Sequence, residues 1–220
     1  MSVDLLIKER LVLEIVQDYL SNNRQFDIDD LIPYINFRLR RTSNNINYQG
    51  IRLILNSLVK KNFLIEGSKL TSEDILNNKT RRIIYEYIVK NPGAYFTKIV
   101  KNLGISNHVV VWHLNILIKF HFIKKKIVEK HEIYFDSEVS FQIAKLNFFF
   151  SLKKSKLIIR FLKSNNIGIS KTKLSKTLNM HLNTVSKYLH NLVKINLITE
   201  EKIDNQVLYF LKEELLPKKN

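Results

Sequence analysis

The stretch from Asn91 to Phe135 limits the possible folds more than any other part of the chain. It opens with Asn-Pro-Gly, which is a turn signal, and apolar residues then recur at helical spacing as far as Leu103. Gly104 stands where helices often end in a left-handed residue, and Ser106 can cap a second helix. The pattern therefore predicts two helices joined by a tight turn.

Two β-prone runs follow the second predicted helix, at Phe122–Val128 and Glu132–Phe135, and a Glu-Lys-His turn joins them. Helix, tight turn, helix and hairpin, in this order, are typical of a winged helix-turn-helix. The predicted fold class is therefore mainly α, with small β-wings.

One pattern of apolar residues occurs three times along the chain. In each copy three residues share a helix face, because they lie four and three residues apart, and two more follow where the chain leaves the helix. The copies are Ile51, Leu55, Leu58, Phe63 and Leu64; Val110, Leu114, Leu117, Phe122 and Ile123; and Val185, Leu189, Leu192, Leu197 and Ile198. The repeat predicts three tandem winged-helix units.

The predicted domains follow from the repeat. They are an irregular N-terminal unit at 1–71, a central unit at 72–136, a connecting aromatic helix at 137–154 and a C-terminal unit at 155–220. The N-terminal unit is irregular because its turn is long and little room is left for a hairpin before Ser68. A polar connector is expected at the start of the central unit.

The central stretch resembles the winged helix-turn-helix transcriptional regulators that are common in archaea. Members often open a domain with Asn-Pro-Gly-x-x-Phe, continue with Leu-Gly-Ile-Ser and a Val, and place a His-Leu pair before the wing. The matching residues here are Asn91, Pro92, Gly93, Phe96, Leu103, Gly104, Ile105, Ser106, Val110, His113 and Leu114. The resemblance is strong over about a fifth of the chain and weaker over about a third more. It implies a DNA-binding regulator, in which His113 packs behind the second helix of the motif.

The net charge of +16 is distributed unevenly. Residues 1–78 contain 10 basic and 10 acidic residues, whereas residues 79–150 contain 12 against 5 and residues 151–220 contain 14 against 5. A basic region attracts polyanions, of which nucleic acid is the commonest. A lysine-rich coding bias is the alternative explanation of the charge.

The C-terminal unit contains most of the candidates for DNA contact. In a helix-turn-helix the second helix enters the major groove, and its early exposed residues meet base edges. The residues that the buried positions leave outside are Asn183, Thr184, Ser186, Lys187, His190 and Asn191. Amides and hydroxyls suit base edges, and a lysine reaches phosphate or guanine. His181 replaces the capping serine that the resemblance implies, which weakens the case for a side-chain cap.

The central unit departs from the family at the corresponding helix. Asn107 and His108 are candidates for DNA contact there. The wing adds Lys124, Lys125 and Lys126, which can bind phosphates and so position the protein without specifying a sequence.

Val111 and Trp112 have little ability to read bases, and tryptophan is a favoured anchor of protein interfaces. Trp112 is two residues from both Val110 and Leu114, about 200° round the helix from each, so we expect it to lie mostly outside its own core. The pair predicts a protein contact. Three alternatives remain for the surface that packs over Trp112: the aromatic helix Phe141–Phe149, a second copy of the chain, or a separate protein. A surface inside the chain or its dimer is preferred.

Catalytic, metal-binding and cofactor chemistry are not expected. The chain has no cysteine, its six histidines form no His-x-x-x-His pair, and its five glycines form no phosphate-binding loop. No apolar run approaches the roughly 20 residues that span a bilayer. A cytoplasmic protein without a membrane partner is expected.

The sequence thus predicts a sequence-specific regulator of transcription that binds double-stranded DNA, mainly through its basic central and C-terminal units. A winged-helix adaptor between proteins stays open, because tandem winged helices also build endosomal-sorting-complex subunits and accessory RNA polymerase subunits. The apolar central helix favours that adaptor, or a homodimer, and the basic units favour DNA. Binding of the lysines to a membrane surface is a third and weaker alternative.

Overall fold

The computed structural model describes residues 5–23, 25–41, 46–165 and 167–212. Within these ranges helices predominate, and six short strands form two three-stranded antiparallel sheets. The predicted mainly α class with small β elements is confirmed. The chain divides into two compact units, neither of which is a single continuous segment.

The first unit contains the described residues up to Val89, together with Ile99–Lys124 and Asp136–Glu138. Its N-terminal part consists of three helices whose apolar faces form one core. They are α1 (Ile7–Asn22), α2 (Ile28–Arg40) and α3 (Tyr48–Lys60). No strand occurs among the described residues before position 94, as expected for a short or missing wing.

Four helices follow along the chain. They are α4 (Ser72–Ile75), α5 (Lys79–Lys90), α6 (Phe96–Leu103) and α7 (Asn107–Lys119). The short α4 lies inside the expected polar connector, where the Thr71 hydroxyl donates to the Asp74 carboxylate at 2.6 Å. Gly104 ends α6 with a φ of +64°, as predicted. Ser106 occupies the N-cap position of α7, but the cap prediction is wrong for its side chain, which makes no capping hydrogen bond.

The second unit contains Lys90–Lys98, Lys125–Phe135 and the described residues from Val139 onward. Ten elements lie wholly or largely in it. They are β1 (Ala94–Tyr95), β2 (Ile123–Val128), β3 (His131–Asp136), α8 (Phe141–Ser151), α9 (Lys153–Lys163), β4 (Ile169–Ser170), α10 (Lys171–Thr177), α11 (Leu182–Lys194), β5 (Ile198–Ile203) and β6 (Gln206–Leu211). Their apolar side chains form one continuous core.

The two sheets have the same strand order, β1-β3-β2 and β4-β6-β5. In each, the short strand before a helix pair joins the second strand of the following hairpin, with Ala94 opposite Tyr134 and Ile169 opposite Tyr209. The first hairpin is predicted at Phe122–Val128 and Glu132–Phe135, and the threefold repeat predicts a wing in the C-terminal unit as well. The strands β1 and β4 are not predicted, because two residues are too few to show a period.

Both hairpins turn through two residues with positive φ, the geometry that matches the twist of the flanking strands. Asp204 and Asn205, residue types that tolerate positive φ, form the turn of the second hairpin, with φ of 45° and 61°. In the first hairpin the turn is Glu129-Lys130, with φ of 48° and 65°, and His131 begins β3 instead of belonging to the turn.

The threefold repeat is visible in α3, α7 and α11, each of which has 13 residues. Thirteen of the fifteen repeat positions are buried, and Phe63 and Phe122 are half-buried. The predicted burial pattern is confirmed.

The same C-terminal motif closes all three of these helices. Asn62, His121 and Asn196 each lie two residues past the last helical residue and have φ of 61°, 59° and 62°. The next backbone N–H donates to the carbonyl of the residue five positions earlier, at 2.9, 2.9 and 3.0 Å. This is the Schellman arrangement, which satisfies carbonyls that a helix end otherwise leaves unpaired.

Candidate nucleic-acid interface

The start of α11 is fixed by an unusual cap. His181 occupies the N-cap position, and its Nδ1 accepts a hydrogen bond from the backbone N–H of Asn183 at 3.2 Å. An imidazole nitrogen is therefore the hydrogen-bond acceptor here, in place of the hydroxyl oxygen that caps many helices. The missing serine weakened the case for a side-chain cap at this position, but His181 provides one.

Five of the six α11 candidates are accessible. Asn183, Lys187 and His190 are exposed, and Thr184 and Ser186 are half-buried. Their accessibility agrees with the prediction, and contact with DNA remains a prediction.

Asn191 is the exception, since only 6% of its surface is exposed. The prediction that it lies free on the outer face of α11 is wrong. Asn191 is near enough to the β2–β3 turn for its side chain to lower the pKa of Glu129, so the outer face of α11 is not open to solvent at this position.

Glu129 also forms an ion pair with Lys187, with Oε2 and Nζ 3.0 Å apart. The hydrogen bond from Lys187 is the main cause that holds the pKa of Glu129 below its ordinary value, and Asn191 and the charge of Lys194 act in the same direction. The same bond raises the pKa of Lys187. Nothing in the sequence points to Glu129, because a glutamate in a lysine-rich hairpin carries no local signal of a distant partner.

The three wing lysines are exposed but differ in their partners. Lys124 donates to the backbone carbonyl of Ser137 at 2.5 Å, and Lys125 pairs with Glu132 at 2.8 Å. Lys126 makes no ion pair with any residue that the structure describes. Exposed pairs of this kind contribute little, so a phosphate can replace the carboxylate.

On α7 the polar candidates Asn107 and His108 are exposed. Val111 is 45% and Trp112 56% exposed, which confirms that this pair lies outside the core. The guanidinium carbon of Arg81 lies 5.7 Å from the centre of the Trp112 ring, within the range of a cation–π contact. What covers the rest of the indole stays a prediction.

Arg81 and His113 form a buried pair behind α7. Arg81 is 3% exposed and its Nη1 donates to the carbonyl of Ile75 at 2.9 Å. Burial, together with the Arg81 charge, lowers the pKa of His113, so that its imidazole is neutral at pH 7. The expected packing role of His113 agrees with its burial. The sequence does not single out Arg81, because nothing in its position along the predicted helix distinguishes it from the neighbouring Arg82.

The repeat allows the outer faces of the three equivalent helices to be compared. Two residues after the first buried position stand Leu53 in α3, Trp112 in α7 and Lys187 in α11. All three are exposed. A lysine has a charged donor group that can contact guanine or phosphate, whereas leucine has no donor and tryptophan has only its neutral indole N–H. Among the three equivalent positions, the charged donor therefore occurs in α11.

The described ranges contain no group of three or more histidine, aspartate or glutamate side chains that could hold a metal ion. Among the same residues, none of the helices combines the length and the apolar character needed to cross a bilayer.

The chain is similar to an uncharacterized HTH-type transcriptional regulator of Methanocaldococcus jannaschii, with 28% identity over 199 residues. The match covers 84% of this chain and 49% of the relative, so the chain spans about half the length of the curated relative it matches. No family model matches the chain. The relative is named as a regulator and comes from an archaeon, in agreement with the expected non-enzymatic, helix-turn-helix class of protein.

Proposed function

We propose that the chain is a sequence-specific, DNA-binding regulator of transcription with three winged-helix units. The observation that carries the proposal is the element order helix, short strand, helix, helix and hairpin, which occurs twice with the same strand order. The N-terminal unit shares the buried positions and the helix-end motif but lacks a hairpin among its described residues. The regulator named as its relative and the basic charge of residues 79–220 support the proposal.

In this proposal α11 enters the major groove and reads bases. Asn183, Thr184 and Ser186 lie in its first two turns, where a groove-bound helix meets base edges. Lys187 reaches a guanine or a phosphate. The wing lysines bind phosphates and set the register of the protein on the duplex.

We expect the protein to bind duplex DNA with a strong dependence on salt. Six phosphate contacts give a slope of log affinity against log salt of roughly −5. Gel-shift titrations on a duplex selected from a random pool measure it. Asn183→Ala or Thr184→Ala should reduce the preference for the selected duplex over a scrambled one, by about 1–3 kcal/mol for each lost base contact.

Lys126→Ala should instead weaken binding to both duplexes alike, since a phosphate contact carries no sequence information. Lys69→Ala is the matched control, because this exposed lysine lies in the neutral N-terminal part of the chain. The DNA function is wrong if the wild-type protein binds no duplex at low salt.

The exposed Val111 and Trp112 favour a second function for α7, which is contact with another copy of the chain. Trp112→Asp should then lower the mass measured by analytical ultracentrifugation from that of a dimer to that of a monomer, because a carboxylate cannot be buried unpaired at an apolar interface. Leu53→Asp, at the equivalent exposed position of α3, is the control and should leave the mass unchanged. A Trp112→Asp protein that keeps its mass and loses only DNA affinity would place Trp112 against the duplex.

A further inference from the structure

We propose that the β2–β3 hairpin blocks the DNA-reading face of α11, and that its Glu129 carboxylate competes with DNA for Lys187 and Asn191. The inference rests on the proposed DNA-binding function of α11. It adds a regulatory contact inside the chain, which DNA must displace before α11 can enter a groove.

The contacts of Glu129 lie on one stripe of α11. Lys187, Asn191 and Lys194 are four and three residues apart, so their side chains follow one line along the helix. At 100° per residue this line lies roughly opposite the buried Val185. The stripe is therefore on the side that a helix-turn-helix turns toward the major groove.

The middle residue of this stripe is shielded from solvent. Asn191 is 6% exposed although it lies away from the buried face of α11, and it acts together with Lys187 to hold the pKa of Glu129 below its ordinary value. The Lys187 ammonium lies 3.0 Å from the same carboxylate. A phosphate or base acceptor that approaches these donors also approaches the negatively charged Glu129 carboxylate, which repels it.

The β2–β3 turn places two residues in an unfavourable backbone conformation. Glu129 and Lys130 both have positive φ, which L residues other than asparagine and aspartate rarely adopt. The equivalent turn in the second hairpin uses Asp204 and Asn205, which tolerate this conformation. The two-residue hairpin requires positive φ here whatever the residue, and the less favourable glutamate places a carboxylate within 3.0 Å of Lys187 on α11.

The contact between the turn and α11 is anchored by a buried residue but remains partly exposed to solvent. Val128, the residue before Glu129, is buried in the same apolar core as Val185 and Leu189, so the hairpin is placed beside α11. The Lys187 side chain nevertheless remains 60% exposed and that of Glu129 33% exposed. A partly solvated ion pair is weak enough for a row of phosphates to replace the carboxylate.

Glu129→Gln tests the proposal, because it removes the charge and keeps the shape of the side chain. We expect its affinity for duplex DNA to rise about threefold to tenfold at fixed salt, with a salt slope more negative by about one because Lys187 is free to bind a phosphate. Glu132→Gln is the matched control. It lies on the same hairpin and changes the net charge equally, but its partner is Lys125.

A larger gain for Glu129→Gln than for Glu132→Gln supports the block. Equal gains would show an effect of net charge alone and overturn it, as would an unchanged or lower affinity of Glu129→Gln. Amide hydrogen exchange without DNA reports on the contact itself, and Glu129→Gln should raise exchange in the turn and in α11 more than the control does. If no variant binds duplex at low salt, the DNA function and the block are both wrong, while exchange still shows whether the contact exists.

A reversible cross-link provides a second test, which the absence of native cysteine makes selective. In the double variant Glu129→Cys and Lys194→Cys, a bismaleimide with a reducible linker joins the turn to α11. The cross-linked protein should lose DNA affinity by at least about tenfold, and reduction of the linker should restore it. Equal binding before and after reduction would contradict the block.

Discussion

Gly93→Ala is expected to destabilise the second unit by about 3 kcal/mol or more. Gly93 has a φ of +85°, and an added Cβ would lie 2.1 Å from the carbonyl oxygen of Ala144 and 3.0 Å from the backbone nitrogen of Phe148. Both neighbours are backbone atoms of α8, which cannot turn aside as a flexible side chain can. Relief therefore requires that the loop before β1 or α8 itself move.

Gly104→Ala is the matched control for Gly93→Ala. It also replaces a glycine of positive φ, but no atom lies within 4 Å of the added Cβ, so only the conformational cost of about 1–2 kcal/mol remains. Urea denaturation followed by far-ultraviolet circular dichroism measures both changes, and hydrogen exchange of the β1–β3 pairing reports on Gly93→Ala in the second unit. Equal losses in the two variants would contradict the close approach of Gly93 to α8.

The second large effect is expected at Glu9, which joins α1 to α3. Its carboxylate accepts hydrogen bonds from the Ser57 hydroxyl at 2.6 Å and from the Lys61 ammonium at 2.7 and 2.8 Å, and also from the backbone N–H of Leu6 at 3.0 Å. The side chain of Glu9 is 5% exposed and that of Lys61 29%. Glu9→Ala should lower the free energy of unfolding of the first unit by about 2–3 kcal/mol, since Lys61 can regain some water.

Glu14→Ala is the control for Glu9→Ala, because Glu14 is exposed on the same helix and its loss should cost less than about 0.5 kcal/mol. The effect of Glu9 also depends on pH. The hydrogen bond from Lys61 is the main cause that holds its folded-state pKa below the ordinary value of 4.5. Its contribution is therefore fully present above pH 4.5 and is lost as the pH falls through the lower, folded-state pKa.

Denaturation at a series of pH values between about 7 and 3 measures this linkage. The difference between the wild-type protein and Glu9→Gln should shrink only in acid, below pH 4.5. A difference that stays constant into acid would mean that the carboxylate is not the group that joins α1 to α3.

Local signals in the sequence account for most of the secondary structure. Gly93, Gly104 and the Asp204-Asn205 turn have the positive φ that their residue types indicate. The periodic apolar positions of α7 and α11 are buried as predicted, because residues three and four apart lie on one face of a helix. The two-residue strands β1 and β4 could not be predicted, since they exist only through pairing with β3 and β6.

The sequence predicted which residues belong to the candidate interface, but not the contacts that these residues form. Asn183, Lys187 and Trp112 are exposed as their helical positions require. Asn191 satisfies the same rule and is nevertheless buried. No rule of helical spacing includes Glu129, which lies far away in the sequence and meets α11 only in the folded unit.

The sequence by itself therefore determined the helices, the hairpins, their turns and the inward faces, because each depends on residues within a few positions of one another. The tertiary structure alone decided which outward residues of α11 are available. Lys187 and Asn191 both lie on the outer face, but the Glu129 turn reaches them through the packing of the hairpin beside α11. Hydrogen bonds and ion pairs between distant segments depend on that packing, which local periodicity does not describe.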